Sequence, residues 1–141
     1  MKIACLDLAS GGVTGAIVDG ALRPRGIRES PWVLEDLQPE AFFESVRKIL
    51  DDCIAAERPD AICLDCFMHG HLIVDSDGIP ASRISSWKDH AGAEGAGGAG
   101  GLARWPAGLR EGFHQRTGCR LHPMYPVFKL AGQALPAGGR V

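Results

Sequence analysis

The sequence predicts an α/β fold, and three observations carry that expectation. Two short apolar runs separated by Ser-Gly-Gly read as paired strands, a long stretch of helical periodicity reads as one amphipathic helix, and a further short apolar run follows it. With 141 residues, 45% of them hydrophobic and 23% charged, the chain has the composition of a globular protein built on one core.

Lys2 to Leu8 (KIACLDL) is expected to form the first strand and Val13 to Val18 (VTGAIV) the second, with the glycines of the SGG turn supplying the positive φ angles of a tight hairpin. A third strand is expected over Gly26 to Val33, held to an edge or an early end by Pro31. From Pro39 to about Ala56, the residues Phe42, Phe43, Val46, Ile49, Leu50, Cys53 and Ile54 recur at spacings of three and four. They predict a helix that lays one apolar face on the sheet, with Pro39 suited to its first position. Ala61 to Leu64 (AICL) then reads as a short buried strand. His71 to Val74 (HLIV), the turn Asp75-Ser76-Asp77-Gly78, and Ile79 to Ser86 are expected to fold back as a hairpin. The stretch AGAEGAGGAGG at 91–101 would make a poor helix, since each glycine costs about 1 kcal/mol against alanine, and it reads as a connector. Short helices are expected over Leu109 to Gln115 and from Pro126 to Ala131, before Pro136-Ala137-Gly138-Gly139 closes the chain.

Charge and hydropathy exclude several functions. A net charge of -2 and a pI near 6.2, with basic residues scattered rather than striped, argue against a nucleic-acid partner. Asp7 follows the first apolar residues too soon for a signal peptide, and no stretch approaches about 18 continuous apolar residues, so a cytoplasmic chain without a membrane partner is expected. Five cysteines without a secretory signal suit reduced thiols. Cys63 and Cys66 form a CxxC, but residues three apart on a strand point to opposite faces, which favours structural thiols over a metal or redox pair. Gly95 to Gly100 spells G-x-G-x-x-G, yet no buried strand precedes it and Arg120 stands where a ribose-binding acid would be, so it reads as part of the connector.

Several clusters carry potential chemistry. DLASGGVTGAIVD, Asp7 to Asp19, is no Walker loop, having neither its lysine nor a following helix. A glycine hairpin nevertheless exposes backbone N–H groups that can hold an anion, Ser10 and Thr14 add hydroxyls, and Asp7 would face a Mg²⁺ shared with phosphates; an ordinary strand turn is the alternative. Met68-His69-Gly70 follows the strand Ala61 to Leu64, at a strand end where pockets of open α/β sheets form. Trp87-Lys88-Asp89 sets an indole beside a carboxylate, suited to a sugar ring. His122-Pro123-Met124-Tyr125-Pro126, with Lys129, comes last. Each also has a plain structural reading: a core histidine, a core tryptophan and a helix-start turn.

In order and spacing these blocks resemble the FGGY family of carbohydrate kinases. Its opening D-x-G-T-[ST] hairpin matches Asp7 onward, its Q-M-H-G block matches Phe67 to Gly70, and its V-D-x-x-G-x-P turn matches Val74 to Pro80. Its W-x-D-x-R segment matches Trp87 to Asp89, and its T-G-x-x-x-H-P block matches Thr117 to Pro123, with Lys129 six residues on. The H-P-M-x-P variant looks most like gluconokinases. The resemblance implies an actin-like ATPase or ribonuclease H-like fold, with residues 1–141 as an incomplete amino-terminal domain on the sugar-binding side. It implies ATP and Mg²⁺ as cofactors, held by Asp7, Ser10, Gly11, Gly12 and Thr14, with Asp7 toward the metal. It further implies a sugar or sugar acid against Met68, His69, Trp87 and Asp89, bordered by Met124 and Tyr125.

The sequence departs from the family at Ala9 (glycine), Ser10 (threonine), Thr14 (a basic residue), Phe67 (glutamine) and Ala91 (arginine). The family's general-base aspartate and its second, nucleotide-binding domain fall beyond Val141. The expectation is therefore a kinase fragment inactive by itself, or alternatively a noncatalytic remnant that binds sugar or a partner. The last strand of the family's first domain is missing as well, so an uncovered sheet edge and self-association are expected.

Overall fold

A computed structural model describes residues 1–89, 101 and 105–131. The chain divides into two compact units, Met1–Phe67 and Met68–Val141. In the first unit, β1 (Ile3–Ala9), β2 (Gly12–Val18), β3 (Pro24–Pro31), α1 (Pro39–Ala56) and β4 (Ala61–Cys66) follow in that order. They build a four-stranded sheet in the order β3-β2-β1-β4. β1 and β2 lie side by side and antiparallel from Ile3↔Val18 to Ala9↔Gly12. α1 then carries the chain across so that β4 runs parallel to β1.

Strand alternation decides which face α1 covers. Ala4, Leu6 and Leu8 of β1, with Val13 and Ile17 of β2, are buried together against Ile49 and Cys53 of α1. Trp32, Phe42, Val46 and Leu50 seal the margin of this core. The helical face is narrower than its periodicity suggests, because Phe43 and Ile54 flank the stripe and stay exposed. α1 begins as expected at Pro39 and ends at Ala56, where the Glu57 N–H bonds the Cys53 carbonyl at 3.1 Å. Gly15 of β2 lets the helix come close: a Cβ there would stand 2.3 Å from Cγ2 of Ile49.

Three expectations for this unit need correction. Neither Ser10 nor Gly11 adopts a positive φ; only Gly12 departs, at φ 158°, close to extended. What demands glycine at position 12 is the neighbouring strand, since a Cβ would meet the Ser30 carbonyl oxygen at 2.6 Å. β3 lies two residues earlier than expected, bounded by Pro24 and Pro31, and is an edge strand. β4 extends to Cys66 and is exposed along its whole length rather than buried. It is the other edge of the sheet, and α1 sits over the three strands β1 to β3.

In the second unit the expected hairpin is reduced to two antiparallel bridges, His71↔Ser85 and Val74↔Pro80. Its turn is set locally: Oδ1 of Asp75 accepts the N–H groups of Asp77 and Ile79, both at 2.9 Å, and Gly78 takes φ 82°. Helix α2 (Ala107–Thr117) is longer than expected and stops at Gly118, whose left-handed φ of 72° closes it in the usual glycine manner. α3 (Pro126–Leu130) starts on its proline. Trp105 packs edge to face and Phe113 tilted against the fully buried Phe128. The 91–101 connector apart from Gly101, the Gly95 to Gly100 motif and the closing Pro136 to Gly139 lie outside the described residues.

Candidate functional site

The sequence-predicted residues fall into two groups, one in each unit. In the first, Asp7 is exposed on the sheet face opposite α1, near the end of β1. Thr14 stands opposite it on β2, and Asp65 stands opposite it on β4. Asp7, Thr14 and Asp65 line a cavity of about 310 Å³ with Cys5 and Cys63 on the same face and Ile27 of β3. Ser10 and Gly11 form the turn beyond this lip, and space around Gly11 is open, with no atom within 4 Å of an added Cβ. Gly12 is accounted for by its fit against β3.

The hairpin is anchored from behind by a residue the sequence reading overlooked. The Trp32 N–H bonds the Gly11 carbonyl at 3.1 Å and its Nε1–H bonds the Ala9 carbonyl at 3.2 Å. Its ring rests on Phe42, centroids 5.1 Å apart. Both hairpin carbonyls are thereby drawn toward β3. Asp65 was also overlooked, although a signal existed: Cys5-Leu6-Asp7 recurs as Cys63-Leu64-Asp65, and the two tripeptides pair in register across β1 and β4. The Cys5 thiol is pushed up by burial first and then by the neighbouring Cys63 thiol.

A donor set of two carboxylates and a hydroxyl suits Mg²⁺, which keeps several waters and takes one or two carboxylates together with substrate phosphates. Among the described residues no group of three or more histidines, cysteines or acids could hold an ion by protein ligands alone. Asp7, Asp65 and Thr14 are the residues of this face that could hold such an ion.

In the second unit, Lys129 organises the other candidates. Its side chain is fully buried, and its Nζ donates to the Ser86 carbonyl and, at 3.5 Å, to the His69 carbonyl. Burial pushes its ammonium below the ordinary lysine range, partly offset by the Asp89 charge. Lys129 thus ties the His69 turn to the segment that carries Trp87 and Asp89. His69 holds a left-handed φ of 62°, a costly state for a residue with a Cβ, and its ring lies 4.9 Å from that of Tyr125. Asp89 is gripped by Ser85 Oγ at 3.0 Å and lies 3.5 Å from the Arg83 guanidinium. Trp87 is 38% exposed and Lys88 rests over it, 5.7 Å from the ring centroid. Met68 projects into solvent at 74% exposure. Met124 donates its N–H to Nδ1 of His122 at 3.2 Å, so His122-Pro123 shapes the turn into α3. Thr117 likewise serves α2, its hydroxyl bonding the Phe113 carbonyl at 2.7 Å.

Solved structures share this fold. The chain matches a gluconate kinase from Lactobacillus acidophilus with a TM-score of 0.70 and 20% identity over 92% of the chain. It matches a ligand-bound xylulose kinase from the same organism with a TM-score of 0.69 and 19% identity over 92% of the chain. A glycerol kinase from Plasmodium falciparum, solved with ADP, matches with a TM-score of 0.67 and 13% identity over 92% of the chain. The chain spans 27%, 27% and 28% of those three proteins. No family model matches it, and no curated protein does. The likeness establishes the fold: a mixed α/β layer corresponding to the amino-terminal portion of the actin-like ATPase fold in sugar kinases.

Proposed function

We propose that residues 1–141 are the amino-terminal, sugar-side part of an ATP-dependent carbohydrate kinase acting on a hydroxyl of a sugar or sugar acid, with gluconate the first substrate to try. The observation that carries this reading is the exposed Asp7 carboxylate at the lip of the β1–β2 hairpin, facing an open cavity with Thr14 opposite. Phosphoryl transfer asks a protein mainly for positioning and for charge stabilisation. Asp7 would orient a hydrated Mg²⁺, Ser10 and Thr14 would offer hydroxyls, and Gly11 would let phosphates approach the backbone. Mg-ATP, when bound, supplies the transferable phosphoryl group. His69, Trp87 and Asp89, held together through Lys129, would present the sugar wall, with Met68, Met124 and Tyr125 at its border. No residue of this chain is assigned as general base.

Isothermal titration with Mg-ATP and, separately, with gluconate tests the reading. Asp7→Ala should weaken Mg-ATP binding by about ten- to a hundredfold, the worth of one charge-assisted contact, and should leave the unfolding midpoint unchanged because the side chain is exposed. Equal Mg-ATP affinity in wild type and Asp7→Ala would overturn the assignment of that carboxylate. A second reading, a noncatalytic sugar-binding or interaction module, draws on the engagement of Asp89 by Ser85 and Arg83. Gluconate binding without Mg-ATP affinity selects it.

A further inference from the structure

The recurrence of Cys-Leu-Asp on neighbouring strands has a second consequence, separate from the carboxylates. Cys5 and Cys63 are direct partners in the β1–β4 ladder. Their side chains share the open face and line the same cavity. Adjacent strands run about 4.8 Å apart, inside the roughly 4.4–6.8 Å span of Cα atoms that a disulfide bridges. Cys63 is exposed and Cys5 half-buried, so a small solute meets Cys63 first. Competing partners within the unit are poorly placed: Cys53 is fully buried under α1, and Cys66 lies on the opposite face, in register with Leu8.

We propose that Cys5 and Cys63 form a reversible oxidation site, in which hydrogen peroxide converts the facing thiols into a disulfide that staples β1 to β4. The Cys63 sulfur, as thiolate, attacks one peroxide oxygen; the O–O bond breaks and the departing hydroxide takes a proton to become water, leaving Cys63 as a sulfenic acid. The Cys5 sulfur, having given up its proton, attacks the Cys63 sulfur. The S–O bond breaks, and the second hydroxide leaves as water. In balance, two thiols lose two hydrogens and two electrons, and one peroxide is reduced to two waters. Because β4 is an edge strand exposed along its length, it can shift to close the bond without disturbing the core beneath α1. A disulfide at this exposed edge is open to solvent, and exposed disulfides are among the readily reduced ones.

The test treats the full chain with hydrogen peroxide at fixed pH and reads free thiols, intact mass and disulfide-linked peptides. The expected result is loss of two of the five thiols, a mass lower by two hydrogens, a Cys5–Cys63 linked peptide, and full reversal by glutathione. Cys5→Ser should leave Cys63 as a sulfenic or more oxidised acid, gaining oxygen instead of losing hydrogen. Cys63→Ser, at an exposed position that does not threaten folding, should abolish the linkage, and Cys66→Ser should leave it intact. A Cys63–Cys66 or Cys119 linkage, bonds only between molecules, or the same two-hydrogen loss in Cys63→Ser would each overturn the proposal.

Discussion

Gly11 and Gly12 sit side by side in the hairpin, yet they are glycine for different reasons. An added Cβ at Gly11 meets open space, whereas at Gly12 it would meet the Ser30 carbonyl oxygen at 2.6 Å. Gly11→Ala should leave the unfolding free energy within about 0.5 kcal/mol of wild type while weakening Mg-ATP binding by filling the phosphate approach; unchanged affinity on titration would remove Gly11 from the site. Gly15→Ala should do the reverse. Its Cβ would press on the buried Ile49, an overpacking worth about 1–3 kcal/mol, read from urea unfolding, with no direct effect on the lip. Asp19, at the far end of β2, offers a pH test. The N–H groups of Arg23 and Ala21, and then the Arg25 guanidinium, hold its carboxyl below the usual range. A lowered folded value means that the stabilisation is present above the unfolded carboxylate value of about 3.9 and disappears as pH falls through the lowered one. Asp19→Asn should therefore flatten the loss of stability in denaturant titrations below about pH 4; an unaltered acid limb would assign that loss to other groups. At this scale the sequence showed Asp7 through its place at the end of an alternating run. It hid Asp65, because only strand register brings that residue beside Asp7.

Among the elements, the blocks that looked like binding motifs divide into supports and surfaces. The Val74 to Pro80 block is a turn held by Asp75 and Gly78, and Thr117-Gly118 is the stop of α2. Those residues are explained by backbone needs; the Asp75–Gly78 turn was legible from its composition, whereas the expected helix ended at Gln115, short of its stop at Gly118. The link between elements was not legible in the same way. Lys129 on α3 stands out in the sequence only as the lysine six residues past Pro123, whereas in the fold it is fully buried with its ammonium on the carbonyls of Ser86 and His69. Lys129→Met keeps the packing volume but removes the ammonium from both carbonyls, of which Ser86 keeps the Asp89 N–H at 3.0 Å, so a loss of about 1–3 kcal/mol is expected. The unfolding midpoint should fall, and gluconate binding should fall with it as the His69 turn and the Trp87 segment separate. A variant that unfolds like wild type would show that the buried ammonium holds nothing together.

The first unit as a whole shows where a strand's sequence stops predicting its burial. The order of strands, helix and strand was legible, and so was the edge position of β3, since proline cannot serve an interior ladder. β4 was misread as buried because AICL has the composition of an interior strand. Whether an apolar strand is covered depends on a neighbour that its own residues do not specify. Through the ladder, Ile62 and Leu64 share the face of Ala4 and Leu6, but α1 lies over β1 to β3, and the two side chains remain 51% and 63% exposed. An apolar edge strand is a template for another strand, and β4 is blunted only near its end, where Oδ1 of Asp65 takes the Cys66 N–H at 2.9 Å. The chain should accordingly self-associate with rising concentration in sedimentation velocity. Leu64→Lys, which charges the edge without touching the core under α1, should shift the distribution toward monomer while preserving the unfolding midpoint. A wild-type chain that stays monomeric at high concentration, or a Leu64→Lys variant that associates equally, would mean that this edge is not the surface through which copies meet.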